Sequence, residues 1–432
     1  MNPIRYLIAV VALCAMAGAG RAVDRSVTTP EGLVTAIGSA NPGDTISLAP
    51  GTYDFSTDKI RVNRPGDPGN PITVRASSPG TALLRFGSDG SFTVEGFLVS
   101  VPYWRFENLD IQGTCADDSR CEHAFHIVGD ADFTLLINNR LHDFNAMVKG
   151  NISGGAFPDD VLLENNQLFN SAPRNTSNPV TPVDIVGGRR WVLRSNTIYD
   201  HAKAQGNQIS YAAFFKGNSR DGIMEQNLVM CERFHTGGVR LGLSFGGGGT
   251  SPDSICEDGS CTPEHQNGTM RNNIIINCPA DVGVYLNEAL NSSIFNNTLY
   301  NTTGIDVRFG SSTAELRNNI LNGRIRSRDG GLLIEGINLQ QLSLADFQNW
   351  FTDPAGSDFS LLDGTFLVDQ GENLAEVNND FCNAPRNDGM NDLGAVEFSP
   401  GTECDTAVGG GRQYIFRDSF ESGQPAPRGA AP

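Results

Sequence analysis

Between residues 104 and 321 one short pattern returns eight times, with apolar positions alternating with polar ones, then an asparagine, then a second apolar pair. The segments read WRFENLDI, TLLINNRL, VLLENNQL, WVLRSNTI, GIMEQNLV, GTMRNNII, SSIFNNTL and AELRNNIL. Their aligned asparagines are Asn108, Asn139, Asn166, Asn196, Asn227, Asn273, Asn297 and Asn319, at spacings of 31, 27, 30, 31, 46, 24 and 22 residues. A period of two within each segment is that of a half-buried strand, and no helical period separates the segments. A repeat in the twenties made of short strands predicts a coil of β-strands in which each turn buries its apolar face against the next. Stacking puts like above like, so one asparagine per coil at a bend forms a ladder of side-chain amides. Asparagine also tolerates the left-handed backbone of such bends. These asparagines are therefore expected to be turn residues and not ligands.

Composition agrees with an ordered, turn-rich chain. Of 432 residues, 49 are glycine, 39% are hydrophobic and only 19% are charged, which excludes a disordered polyelectrolyte. Arg5, the apolar stretch Leu7 to Ala17 and the small residues around Gly20 and Ala22 read as a secretory signal. The expected organisation is a signal peptide over 1–22, a coil domain over 23–398 and a flexible tail over 399–432, rich in Gly, Pro and Ala. No later stretch is apolar for long enough to span a bilayer. The expected product is a secreted monomer, periplasmic or extracellular, with no membrane partner. Loss of Arg5 and Arg21 takes the formal charge from −18 to about −20. Such a balance argues against nucleic acid as a partner, and an anionic glycan would need a local basic strip. Eight cysteines remain after the signal, an even number that suits disulfides. Cys115/Cys121 and Cys256/Cys261 bracket short loops, and Cys382/Cys404 lie near the end. Cys231 and Cys278 follow successive ladder asparagines at similar distances, so they are expected to bond across adjacent coils.

The runs GDTISLAPGTYDF, GNPITVRASSPG and WRFENLDIQG, with DFSLLDGTFLVDQG and NDGMNDLGAVEF near the end, resemble right-handed parallel β-helix proteins of the pectin-lyase-like superfamily, especially the chondroitinase B and alginate lyase type. The similarity spans about residues 40 to 398. It implies an all-β, single-stranded right-handed parallel β-helix that acts on a polysaccharide. The chain lacks the WIDH strand and R-x-P-x-x-R segment of calcium-dependent pectate lyases, and the N-T-D and G-H-G elements of polygalacturonases.

Aligning the strands that follow each bend places His126, Asp184, Arg240, Tyr285 and Arg308 between apolar neighbours, and Lys149 and Lys216 directly after Val148 and Phe215. If those neighbours point inward, the seven polar groups form one outward column on one sheet. That column would supply the basic strip. Cleavage of a uronic-acid polymer by β-elimination requires charge neutralisation at the sugar carboxylate, a base for the adjacent proton and a proton for the leaving oxygen. Lysine suits the base because burial or neighbouring cations lower its pKa. In the family, a lysine base stands one coil from an arginine on the same sheet. FFKGNS and GGVRLG resemble that pair, which implies Lys216 as base and Arg240 as its assistant, 24 residues on. Arg240 is followed by Leu241-Gly242, where the family has His-Gly. Lys149, Asp184, His235, Tyr285 and Arg308 are the expected substrate contacts. The resemblance also implies calcium near the lysine, for which Asp184, Glu225 and Asn227 are the candidate ligands. Two other classes stay open: a non-catalytic glycan-binding or surface-structural β-helix, and a glycoside hydrolase using Asp184 and Asp306. Gly246 to Gly249 lack the following Lys-Ser/Thr and helix of a phosphate loop and are expected to overhang the groove.

Overall fold

The computed structural model describes residues 22–398, together with Cys404 and Thr406. The expected signal peptide, apart from Ala22, and most of the expected tail lie outside the described residues. Among the described residues, three long all-parallel sheets wind around one core: a first of 12 strands, a second of 11 and a third of 10. Each coil visits them in that order, as in Leu135–Ile137, Arg140–His142 and Ala146–Asn151. The architecture is a right-handed parallel β-helix. The helix Pro30–Gly38, capped by the Thr29 side chain, buries Leu33, Ala36 and Ile37 at the first coils. No described helix is long and apolar enough to cross a membrane.

The bend between the first and second sheets divides its work between two residues. The first takes a left-handed backbone: Asn108, Asn138, Asn165, Ser195, Gln226, Asn272, Asn296 and Asn318 all have φ between 51° and 59°. The second is the buried ladder residue. Asn139, Asn166, Asn196, Asn227, Asn273, Asn297 and Asn319 each donate a backbone N–H and a side-chain N–H to the Oδ1 one coil on, ending at Asn338. Asn108 is a correction to the sequence alignment by one position. Leu109 holds its ladder place, and its N–H donates to Asn139.

All four disulfides pair as the sequence suggests, including Cys231–Cys278 across adjacent coils with Cα atoms 5.0 Å apart. After Leu339 the chain leaves the solenoid. The helix Leu344–Trp350 and the hairpin Phe351–Asp353/Asp358–Leu361 lay Phe347 and Phe359 on the outer side of the second sheet, against Tyr199, Met230, Ile276 and Tyr300. That side is covered and the outer side of the first sheet is laced by ion pairs such as Arg194–Glu225–Arg271. The third sheet keeps the face on which polar groups and aromatic rings are presented outward.

Candidate functional site on the third sheet

Alternation decides which side chains face out. Phe125, Ile127, Val148, Val183, Ile185, Phe215, Val284, Leu286 and Val307 fill the core, so the residues between them point outward. Strand register then puts Leu98, His126, Lys149, Asp184, Phe214, Ser244, Tyr285, Asp306 and Arg326 in one row along the axis. A second row, two positions further along each strand, contains Val186, Lys216, Asn287 and Arg308. Six of the seven residues of the expected column thus share this face, in two rows.

Most of the cations are compensated. Lys59 pairs with Glu95 at 2.8 Å, Lys149 with Asp184 at 2.7 Å, and Arg308 with Asp329 at 2.6 Å while it also donates to the Tyr285 hydroxyl. His126 hydrogen-bonds Asn151 at 2.7 Å. The face is therefore less basic than the sequence implies. Lys216 has no ion pair among the described residues, and neither has Arg61 in the row of Leu98, but Arg61 is exposed whereas Lys216 is partly buried. Its Nζ lies 3.4 Å from the Gly249 carbonyl and 4.5 Å from the centre of the Phe214 ring. Burial pushes the Lys216 amine below the usual lysine range and the Lys149 charge adds to this, against Asp184 and Glu264. Burial works to raise Asp184, but Lys149 and Lys216 hold its carboxyl below the usual range.

The glycine-rich segment does not merely overhang. Gly247 sits with φ +55°, and a Cβ there would stand 3.0 Å from the Phe214 ring and 3.4 Å from the Lys216 stem. The segment is fixed by Glu264, which accepts from the Gly217 N–H and the Thr250 hydroxyl, both at 2.7 Å. Burial raises the Glu264 carboxyl. Phe214 and Glu264 were not foreseen: Phe214 reads as a core residue, and Glu264 lies inside the one irregular interval.

Arg240 requires correction. Its register partner is Ser210, six residues before Lys216. At about 3.3 Å per residue that places it about 20 Å from Lys216 along the strand direction. It is also 2% exposed. Its guanidinium turns away from the outer face to the carbonyls of Gly237 and Cys231, with Asp200 at 3.7 Å. Leu241, the next residue, is the one that faces out, packed with Tyr211 and Tyr285. The paired roles of Lys216 and Arg240 are therefore withdrawn. His235 also lies off the sheet, on the 231–238 loop, with Nε2 2.6 Å from the Ser171 carbonyl. The other histidines are largely interior, with His142, His201 and His265 buried.

The expected calcium ligands do not converge. Asp184 is on the third sheet, Glu225 is held between Arg194 and Arg271 on the first, and Asn227 belongs to the interior ladder. Among the described residues no group of three or more His, Cys, Asp or Glu could hold a metal. The residues do not fit a calcium site, and no step is routed through one. The hydrolase pair fails as well: Asp184 and Asp306 are four coils apart in one row, about 19 Å at 4.8 Å per coil. Paired carboxylates in glycosidases stand about 5 to 9.5 Å apart. Asp306 is moreover fully buried between Arg326 and Arg328.

No family model matches the chain. A 94-residue stretch is 34% identical to pectate lyase L of Dickeya chrysanthemi and 33% identical to that of Dickeya dadantii. Each match covers 20% of this chain and 22% of the relative, so the chain matches about a fifth of the length of these curated relatives. In three dimensions the chain resembles pectate lyase Pel9A, with a TM-score of 0.57 and 16% identity over 88% of this chain and 98% of that one. That likeness is one of fold, a parallel β-helix.

Proposed function

We propose that the protein is an exported polysaccharide lyase that cleaves a uronic-acid-containing polysaccharide by β-elimination on the outer face of the third sheet. The observation that carries this reading is Lys216, a half-buried amine without an ion pair among the described residues, with a lowered pKa, on the face where a chain could lie along the axis. Its neutral amine would take the proton beside the sugar carboxylate. Lys149 would hold negative charge as it develops on that carboxylate, and the bond to the leaving oxygen would break with a proton supplied by the Lys216 ammonium or water. Tyr285, Phe214 and Arg308 would line the path of neighbouring sugars. The local likeness to pectate lyase L brings pectic polymers in beside alginate and chondroitin as substrate classes. Four disulfides suit an oxidising compartment and support a periplasmic or extracellular location. A monomer is the proposed working form.

A second reading is favoured by one observation: the Gly246–Gly249 segment lies on Lys216, as it would in a glycan-binding protein that does no chemistry. Incubating the full chain with polygalacturonate, alginate and chondroitin sulfate separates the two. Growth of the absorbance of an unsaturated product, lost in a folded Lys216→Ala variant, is the expected result. New reducing ends without that chromophore would overturn elimination in favour of hydrolysis. Binding without either signal would leave the non-catalytic reading.

A further inference from the structure

We infer that the corner between the second and third sheets holds a second glycan subsite, built to receive the carboxylate of an acidic sugar. A hollow of about 270 Å³ opens there, lined among others by Lys203, Gln208, Thr236, Gly237, Gly238 and Arg240. Both cations are buried, Arg240 at 2% exposure and Lys203 at 7%. The Nε and Nη1 of Arg240 are taken by carbonyls, but its Nη2 is buried without a partner. Lys203 has no ion pair among the described residues, and burial lowers its amine.

The carboxylates nearby do not complete this site. Asp200 lies 3.7 Å from Arg240 Nη1 but is occupied by the backbone N–H groups of Arg233, Phe234 and His235. Glu232 accepts from the N–H of Gly237. A buried cation without a hydrogen-bonded counter-charge is costly to maintain. Arg240 Nη2 therefore keeps an unmet donor, and a two-oxygen anion between the guanidinium and the ammonium would satisfy it.

A sugar carboxylate is favoured over a free ion by the rest of the loop. Phe234, three residues before Gly237, is 69% exposed, and the Arg233 guanidinium lies 4.5 Å from the centre of its ring. An apolar platform beside a few convergent polar groups is the combination a charged sugar ring requires. His235, expected from the sequence to touch substrate, stands on the same loop. The corner is about 20 Å from Lys216 along the strands, far enough to engage a different sugar of the same polymer. This inference rests on the protein acting on acidic glycans but not on Lys216 being a base.

The test uses the full chain carrying Lys216→Ala, so that nothing is turned over during titration. Calorimetry measures binding of galacturonate and guluronate tetramers, of neutral cellotetraose and of sodium sulfate. Adding Lys203→Met is expected to weaken binding of an acidic tetramer about tenfold or more, the scale of one charge-assisted hydrogen bond. Phe234→Ala, a change at an exposed ring that leaves the buried corner intact, is expected to weaken it as well, and cellotetraose should bind far more weakly. Unchanged affinity in both variants, equal binding of the neutral tetramer, or no binding of either acidic tetramer would overturn the subsite. Lys203-dependent binding of sulfate alone would assign the hollow to a free anion and overturn the glycan reading. Lys203-dependent tetramer binding in a protein that never yields unsaturated product would uphold the subsite while removing the lyase function.

Discussion

The bend between the first and second sheets and the corners that flank the third sheet solve the same problem, turning the chain between strands, in opposite ways. The bend uses two residues on coil after coil, one left-handed and one in the amide ladder. The corners use loops of different length: of two register partners on the third sheet, Lys149 lies 10 residues after Asn139, whereas Asp184 lies 18 after Asn166. A buried amide must meet its neighbour at hydrogen-bond distance on every coil, so the bend cannot vary. Nothing holds the corners to one length, and there the unpaired cations, the exposed ring and the glycine segment are found.

If this contrast is right, the largest effect should come from the ladder. Asn227→Leu removes the acceptor for the Asn196 backbone and side-chain N–H groups and a donor to the Leu193 carbonyl. It should cost about 3 kcal/mol or more, or prevent folding. Asn108→Gly, at a left-handed bend position outside the buried ladder, loses only part-buried hydrogen bonds with Ala76 and Asn138 and should cost less, about 1–2 kcal/mol. Urea midpoints compare the two, and equal losses would break the division of labour.

Next comes the cross-coil disulfide. Replacing both Cys231 and Cys278 by alanine opens a link spanning 47 residues and should cost about 2–4 kcal/mol. Replacing Cys256 and Cys261, whose link spans 5 residues within one corner insertion, should cost less. A reversed order would mean that the insertion carries more of the fold than its place suggests.

Gly247→Val sharpens the contrast at the corners. Its positive φ and the nearness of Phe214 and Lys216 predict a loss of about 1–2 kcal/mol. The displaced segment should uncover the amine, so Lys216 should react faster with an acylating reagent. Unchanged labelling would mean that the segment does not shield it.

The smallest effect concerns the second sheet. Burial disfavours the charged form of His142, but hydrogen bonds to Asp110 and Asp143 outweigh it and raise its pKa above 6.5. A raised folded pKa gives stability that is present below pH 6.5 and is lost as pH rises through the folded value. The melting temperature should therefore fall as pH rises above about 6.5, and His142→Gln should flatten that fall.

Where the chain repeats, the sequence was readable. The parallel β-helix and the Cys231–Cys278 bond followed from ladder spacing, because that spacing is set by interior hydrogen bonds. Asn108 was placed one position off because its segment has Leu109 where later coils have asparagine, and an isolated asparagine draws the alignment. On the third sheet the faces of His126, Lys149, Asp184, Lys216, Tyr285 and Arg308 were legible from their apolar neighbours. The register of Arg240 was not: a spacing of 24 residues matched one coil of the ladder, while the strands pair at an offset of 30. Ion-pair compensation along the face was equally hidden, since Asp184 reads as a ligand until Lys149 is seen against it.

The central claim, that Lys216 acts as the base, is tested most directly by restoring the missing amine. On whichever polyuronate yields unsaturated product, Lys216→Ala should lose about 10²–10⁴-fold in rate. Added small primary amines should then recover part of it, in proportion to the concentration of the neutral form. The native rate should rise with pH through an amine pKa below the usual 10.5 of lysine. A folded Lys216→Ala variant that forms product at the native rate, with a pH profile unchanged, would contradict the account.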